Sequence, residues 1–126
     1  MSTSISPKTI LVVDDAPENL SILGELLSKY KVKVALNGEK ALKILELNPN
    51  IDLILLDVMM PGIDGFEVAK RIKANPLIQN IPVVFITGKS DAESFVQGFE
   101  IGAEDYIRKP FEADIVINLV NKILNK

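Results

Sequence analysis

The sequence contains no cysteine and no histidine. The first absence excludes disulfides, thiolate metal sites and cysteine nucleophiles. The second excludes a histidine base and any phosphohistidine carried by this chain itself. Long hydrophobic runs are missing too: the apolar stretches fall far below the ~20 residues that span a bilayer. Basic residues are not in excess, with 14 Lys and Arg against 17 Asp and Glu and a formal net charge of −3. They are scattered rather than striped, which argues against a non-specific nucleic-acid binder. No G-x-x-x-x-G-K segment occurs, which argues against nucleotide hydrolysis of the P-loop kind. Met1–Lys8 is short, polar and proline-bearing and has no signal-peptide apolar region. We read residues 1–7 as a loose leader, residues 8–126 as one domain, and the cytoplasm as the default location. What the chain does have is 48% apolar residues in 126 positions, enough to bury the core of one domain.

The apolar residues come in short runs. Ile10–Val13 is β-branched and continuous, as expected of a strand buried on both faces. It stops at Asp14-Asp15, and Pro17 then suits the first turn of a helix whose inner face would carry Leu20, Leu23, Leu27 and Tyr30. Val32–Leu36 is a second strand, Asn37-Gly38 a turn, and Ala41, Ile44 and Leu45 the inner face of a second helix. Asp52–Asp57 is the most apolar strand and is expected to be central. Asp64 and Glu67 resemble a capping box ahead of a helix with Phe66, Ala69 and Ile72 inward. Val83–Ile86 is a fourth strand ending at Thr87-Gly88. A second capping box at Ser90–Glu93 opens a helix with Ala92, Val96 and Phe99 on one face. Phe95 falls off that face as a candidate surface hydrophobe, and Gly102 is placed to end the helix. Asp105–Arg108 is the weakest strand, and Phe111–Leu124 reads as a last helix with Ile115, Leu119 and Ile123 inward. Its apolar residues cover more than one stripe, so part of it is a candidate contact surface.

Strand then helix, five times over, predicts an α/β fold with a parallel sheet and helices on both faces. In such a sheet the strand ends share one edge, and ligands bind there at the point where strand order reverses. The expected order, 2-1-3-4-5, is taken from known folds rather than from the sequence. It makes the first and third strands neighbours. Asp14, Asp15 and Asp57 would then meet, flanked by Thr87 and Lys109 from the fourth and fifth strands. Three clustered carboxylates need a cation or must take up protons. Hard oxygen ligands without histidine or cysteine favour Mg²⁺ or Mn²⁺ over Zn²⁺. A metal with open positions, a hydroxyl donor, an ammonium and a candidate aspartate nucleophile together describe a site for phosphoryl groups.

Four segments in order, ILVVDDAPEN, LILLDVMMPGIDG, VVFITGKSD and GAEDYIRKPF, make the chain resemble a two-component response-regulator receiver domain of the single-domain, chemotaxis-regulator type. The resemblance runs from about Lys8 to Leu124 and implies a flavodoxin-like (βα)5 three-layer sandwich. It implies that Asp57 accepts a phosphoryl group from a phosphohistidine on a sensor histidine kinase or histidine phosphotransfer protein. It implies direct Mg²⁺ ligation by Asp15, Asp57 and the Met59 backbone carbonyl, with Asp14 acting through water. Thr87 and Lys109 would hold the phosphoryl group, Tyr106 would be the switch aromatic, and Pro110 would follow Lys109 in a bond that is often cis. Met59 and Lys89 would sit at the mouth of the site and tune dephosphorylation. The face formed by the fourth helix, fifth strand and fifth helix would carry the readout and allows a homodimer.

Each residue taken singly has an ordinary explanation. Asp14-Asp15 could cap a helix, Asp57 could end a strand in a turn, Thr87 is common at strand ends, Lys109 could simply be solvated, and Tyr106 could pack. Their joint placement favours a site. Three rival functions compete with this reading. A metal-dependent phosphatase would need a cover for a small substrate. A flavin mononucleotide carrier would need a Ser/Thr/Gly-rich loop where DDAPEN stands. A binding-only receiver would not need all five site residues.

Overall fold

The structure, a computed structural model, describes residues 7–88 and 92–125. Nearly all of the leader lies outside these residues. So do Lys89 and the Ser90-Asp91 start of the second capping box.

Ten elements alternate along the chain: β1 (Thr9–Val13), α1 (Pro17–Leu26), β2 (Lys31–Ala35), α2 (Gly38–Leu47), β3 (Leu53–Asp57), α3 (Gly65–Lys73), β4 (Val83–Thr87), α4 (Ala92–Ile101), β5 (Asp105–Arg108) and α5 (Ala113–Leu124). The strands form one parallel sheet in the order β2-β1-β3-β4-β5, as expected. Successive strand residues point to opposite faces, and each face has its own core. Leu11, Val13, Ile54, Leu56 and Phe85 pack with α2 and α3. Ile10, Val12, Leu53, Leu55, Val84 and Ile86 pack with α1 and α5. Covering both faces is what made the central strands continuous apolar runs. No helix among the described residues is long and apolar enough to cross a membrane.

The helix ends follow local chemistry. Pro17 opens α1, where its missing N–H costs nothing. Leu20, Leu23 and Leu27 are buried as expected, but α1 stops before Tyr30, whose hydroxyl instead reaches α5 and donates to Asn121 Oδ1. Asn37-Gly38 is a helix start rather than a turn: Asn37 Oδ1 accepts the Lys40 amide at 2.8 Å. At α3 the capping box is half made. Asp64 Oδ1 accepts the Glu67 amide at 2.9 Å, while the Glu67 carboxylate pairs with Arg71 at 3.0 Å one turn on.

Two helix faces differ from expectation. In α4, Val96 and Phe99 are 57% and 51% exposed, whereas Phe95 is half-buried and Gly98 is buried. The helix turns its glycine to the sheet because Phe85 and Tyr106 fill that space. In α5 the buried stripe is Val116, Val120 and Leu124. Ile115 is 54% exposed, and Leu119 and Ile123 are only partly buried. Apolar residues stand on both stripes, so periodicity alone does not choose between them.

One close approach ties the core to the end of β3. A Cβ on Gly65 would lie 2.2 Å from the Asp57 carbonyl oxygen and 2.9 Å from Val58 Cα. The Gly65 amide also donates to the Val58 carbonyl at 2.9 Å. Both obstructing atoms are backbone, so relief requires α3 or the β3 end to move. Gly65→Ala is expected to destabilise the protein by about 1–3 kcal/mol, the usual range for overpacking. A urea unfolding midpoint equal to that of the parent protein would contradict this.

Candidate functional site

The edge formed by the C-terminal strand ends collects the predicted polar residues. Asp57 is the last residue of β3, and Asp14 follows β1, with its amide held by the Ala35 carbonyl of β2 at 3.1 Å. Thr87 ends β4. Lys109 follows β5, and its amide donates to the Thr87 carbonyl at 2.9 Å. β1 and β3 are the neighbours at which strand order reverses, where open α/β sheets bind ligands.

The three aspartates meet. Asp14, Asp15 and Asp57 each offer a carboxylate oxygen within 4.8 Å of the others; Asp14 and Asp57 are buried and Asp15 is exposed. Both oxygens of Asp14 are engaged. Oδ1 accepts the Ala16 amide at 2.9 Å, and Oδ2 accepts Asn19 Nδ2 at 3.1 Å and faces Lys109 Nζ at 3.2 Å. Asp57 is less well supplied. Among the described residues its Oδ1 has only a long bond from the Met59 amide, at 3.4 Å. Its Oδ2 is buried with no hydrogen-bond partner, although the Lys109 ammonium stands 3.5 Å away.

Among the described residues, the Lys109 ammonium pairs with two of the three carboxylates, Asp14 and Asp57. Burial, and then the Asp14 charge, push the Asp57 carboxyl up to about 6, against the opposing pull of Lys109 and the Met59 amide. An under-bonded carboxylate oxygen in a tight cluster of hard oxygen donors fits a divalent cation and gives no soft ligand to a thiophilic one. The cluster can hold a divalent metal.

Other expected residues lie near this centre or along the strands that lead to it. Thr87 is buried beside it. Met59, whose amide reaches Asp57 Oδ1, is 58% exposed. The Lys109–Pro110 peptide is cis. Tyr106 lies farther off, on β5 opposite Phe85. Its ring packs against Phe95, Phe99 and Phe85 with centroids 4.6, 5.3 and 5.6 Å away, and its hydroxyl donates to the Phe95 carbonyl at 3.3 Å. Burial raises the phenol pKa, and a backbone hydrogen bond at Gly98 opposes that shift. Asn19, which steadies Asp14, had no role in the sequence reading. Its place in the first turn of α1, five residues after Asp14, was the available signal.

The Asp57 shift makes stability depend on pH. The folded state binds this proton more tightly than the unfolded chain, so the contribution is complete below about 3.8 and is lost as pH rises through about 6. In metal-free protein, Asp57→Asn is expected to stabilise by about 1–3 kcal/mol at pH 7.5. The advantage should shrink toward pH 4 and fall when Mg²⁺ is added. Thermal unfolding of both proteins across this range, with chelator and then with Mg²⁺, checks the sign; a gap that widens toward pH 4 would contradict it.

Comparison with known proteins agrees with this geometry. The family profile described as "Response regulator receiver domain" matches residues 10–121. A Vibrio cholerae protein named "Probable cyclic di-GMP phosphodiesterase" is 45% identical over 118 residues, covering 93% of this chain and 26% of that protein. The rice two-component response regulator ORR3 is 34% identical over 131 residues, covering 100% of both. Among solved structures, a Chloroflexus aurantiacus protein described as "a putative response regulator" superposes with a TM-score of 0.90 at 36% identity, covering 96% of this chain and 100% of that one. The BeF3-activated DrrB receiver domain superposes at 0.85 with 35% identity, covering 97% and 100%. The chain spans about a quarter of the length of the Vibrio relative and about half that of a Pseudomonas aeruginosa relative. Partnership with a histidine kinase or histidine phosphotransfer protein is typical of such domains, and their chemistry is phosphorylation and dephosphorylation of the protein itself rather than turnover of a small substrate. Profile, fold and acidic cluster coincide, and the chain belongs to the response-regulator receiver family, with its phosphoacceptor site centred on Asp14, Asp15 and Asp57.

Proposed function

We propose that Asp57 is the acceptor, and that it takes its phosphoryl group from a phosphohistidine on a sensor histidine kinase or histidine phosphotransfer protein. The observation that carries this reading is the Asp57 carboxylate itself. It is buried at the ligand-binding edge of the sheet, with one oxygen lacking a hydrogen bond and an ammonium 3.5 Å away. In the transfer, an Asp57 oxygen forms a bond to phosphorus as the P–N bond to the partner's imidazole breaks. The electron pair of that bond stays on the departing nitrogen, and the product is an acyl phosphate. The group later leaves by hydrolysis or by onward transfer.

The neighbouring residues receive the new charge. Lys109 pairs with the phosphoryl oxygens, and the Thr87 hydroxyl donates to one of them. We assign Mg²⁺ to the acidic cluster, with Mn²⁺ as a substitute, held by Asp15, Asp57 and the Met59 carbonyl. When bound it offsets the negative charge of the carboxylates and of the phosphoryl oxygens. Asp14 already spends both oxygens on Ala16, Asn19 and Lys109, which supports an indirect part for it, through water.

The new contacts bias a two-state surface only by their difference between its states. We place that surface on α4, β5 and α5, with Tyr106 as the switch. Its exposed Val96, Phe99 and Ile115 suit a downstream protein or a second copy of the chain. Met59 and Lys89 tune the lifetime of the acyl phosphate. We take residues 8–126 as the receiver and the cytoplasm as its location.

Asp57→Asn is expected to abolish incorporation of phosphate from acetyl phosphate in the presence of Mg²⁺; stable, undiminished incorporation would contradict the assignment. Met59 offers an apolar side chain that positions attacking water poorly. Met59→Asn is therefore expected to shorten the phosphorylated lifetime roughly two- to tenfold, up to about 1.4 kcal/mol on the barrier. Slower loss of the acyl phosphate in that variant would refute the role given to Met59.

A further inference from the structure

Gly98 lies inside α4, where glycine costs about 1 kcal/mol relative to alanine. Its backbone is not in the positive-φ region that would call for glycine. The reason for it lies across the helix–sheet interface. A Cβ on Gly98 would fall 1.8 Å from the Tyr106 hydroxyl oxygen, 2.8 Å from Tyr106 Cζ and 3.1 Å from Phe85 Cδ2. The phenol thus fills the volume that any other residue at position 98 would claim. Phe95, Phe99 and Phe85 surround the ring, and the Phe95 carbonyl accepts from its hydroxyl. This seat stands on the strands that lead into the site. Phe85 lies two residues before Thr87, and Tyr106 three before Lys109.

We infer that Gly98 is a positioning residue: by lacking a side chain it holds open the seat for Tyr106 against α4, and so sets the balance between a docked and a displaced ring. The inference rests on the reading of Tyr106 as the switch. The nature of the obstructing atoms gives it direction. At Gly65 a Cβ would meet backbone, and the fold itself would have to yield. At Gly98 it would meet chiefly the far end of a tyrosine, which can rotate about χ1. The cheaper relief is therefore displacement of the ring. The energetic signature is a dependence on what occupies position 106. With the ring absent, Gly98→Ala should bring only the helix-propensity benefit of alanine.

The chain has two tyrosines, Tyr30 and Tyr106, so 3-fluorotyrosine labelling yields two assignable fluorine resonances. In unphosphorylated Gly98→Ala, the Tyr106 resonance is expected to move toward its position in the unfolded chain and to gain sensitivity to H₂O/D₂O exchange, while the Tyr30 resonance stays in place. In urea unfolding, Gly98→Ala should lower the unfolding free energy by the equivalent of about fivefold or more in the equilibrium constant. The same change made in Tyr106→Ala should be neutral or stabilising. Failure of Gly98→Ala alone to fold, with Gly98→Ala/Tyr106→Ala folding, would also support the inference. An unmoved Tyr106 resonance, an equal loss of stability in both backgrounds, or failure of both the single and the double variant to fold would overturn it.

Phosphate incorporation from acetyl phosphate with Mg²⁺ separates this inference from the one beneath it. Incorporation at Asp57 should persist in Gly98→Ala, and its abolition there with the parent protein active would overturn a purely positioning role. No incorporation in the parent protein would overturn the acceptor reading, while the fluorine result would still decide whether Gly98 seats the ring.

Discussion

Three carboxylates share one edge of a parallel sheet with the Lys109 ammonium, and of the two that are buried Asp57 is the less satisfied. Its Oδ2 is buried without a hydrogen bond, and its carboxyl is raised to about 6 by burial and by Asp14. The fold holds this arrangement together. Strand pairing fixes the backbone on either side of the acids, from the Asp14 amide on Ala35 to the Val58 amide on Ile86. Gly65 lets α3 close directly onto the end of β3. An unfavourable cluster persists because the sheet and its two apolar cores over-determine it. That same imbalance is what a divalent cation, a proton or a phosphoryl group would relieve.

The aromatic residues form a connected path across the fold. Phe66 at the start of α3 packs on Phe85 of β4 at 5.1 Å, Phe85 packs on Tyr106 of β5, and Tyr106 packs on Phe95 and Phe99 of α4. Arg108 stands over the Phe95 ring at 5.4 Å. Contact alone does not establish coupling. The rings join α3, β4, β5 and α4 in one closely packed series.

Much of this was legible in the sequence, for physical reasons that differ by element. The three inner strands, β1, β3 and β4, announced themselves because burial on both faces leaves them almost wholly apolar. The site residues stood out because polar groups at the ends of such runs need partners. Helix faces were harder to read. In α5, Ile115 and Val116 begin two competing apolar stripes, and only packing into the core shared with α1 and the sheet selects the second. In α4 the inward position is a glycine, which adds nothing to a hydrophobic pattern. Counting apolar side chains therefore placed Val96 and Phe99 inside and Phe95 outside. Asn19 was missed because its importance is a contact outside its own helix, with Asp14.

The central claim is that the under-bonded carboxylate of Asp57 carries the phosphoryl group. It is tested most directly by locating the acyl phosphate chemically. The protein is incubated with acetyl phosphate and Mg²⁺, reduced with borohydride, which converts an aspartyl phosphate to homoserine, and mapped by peptide mass spectrometry. Homoserine at position 57, dependent on Mg²⁺, is the predicted result. Homoserine at Asp14 or Asp15 in place of position 57, or none anywhere in the chain, would contradict it.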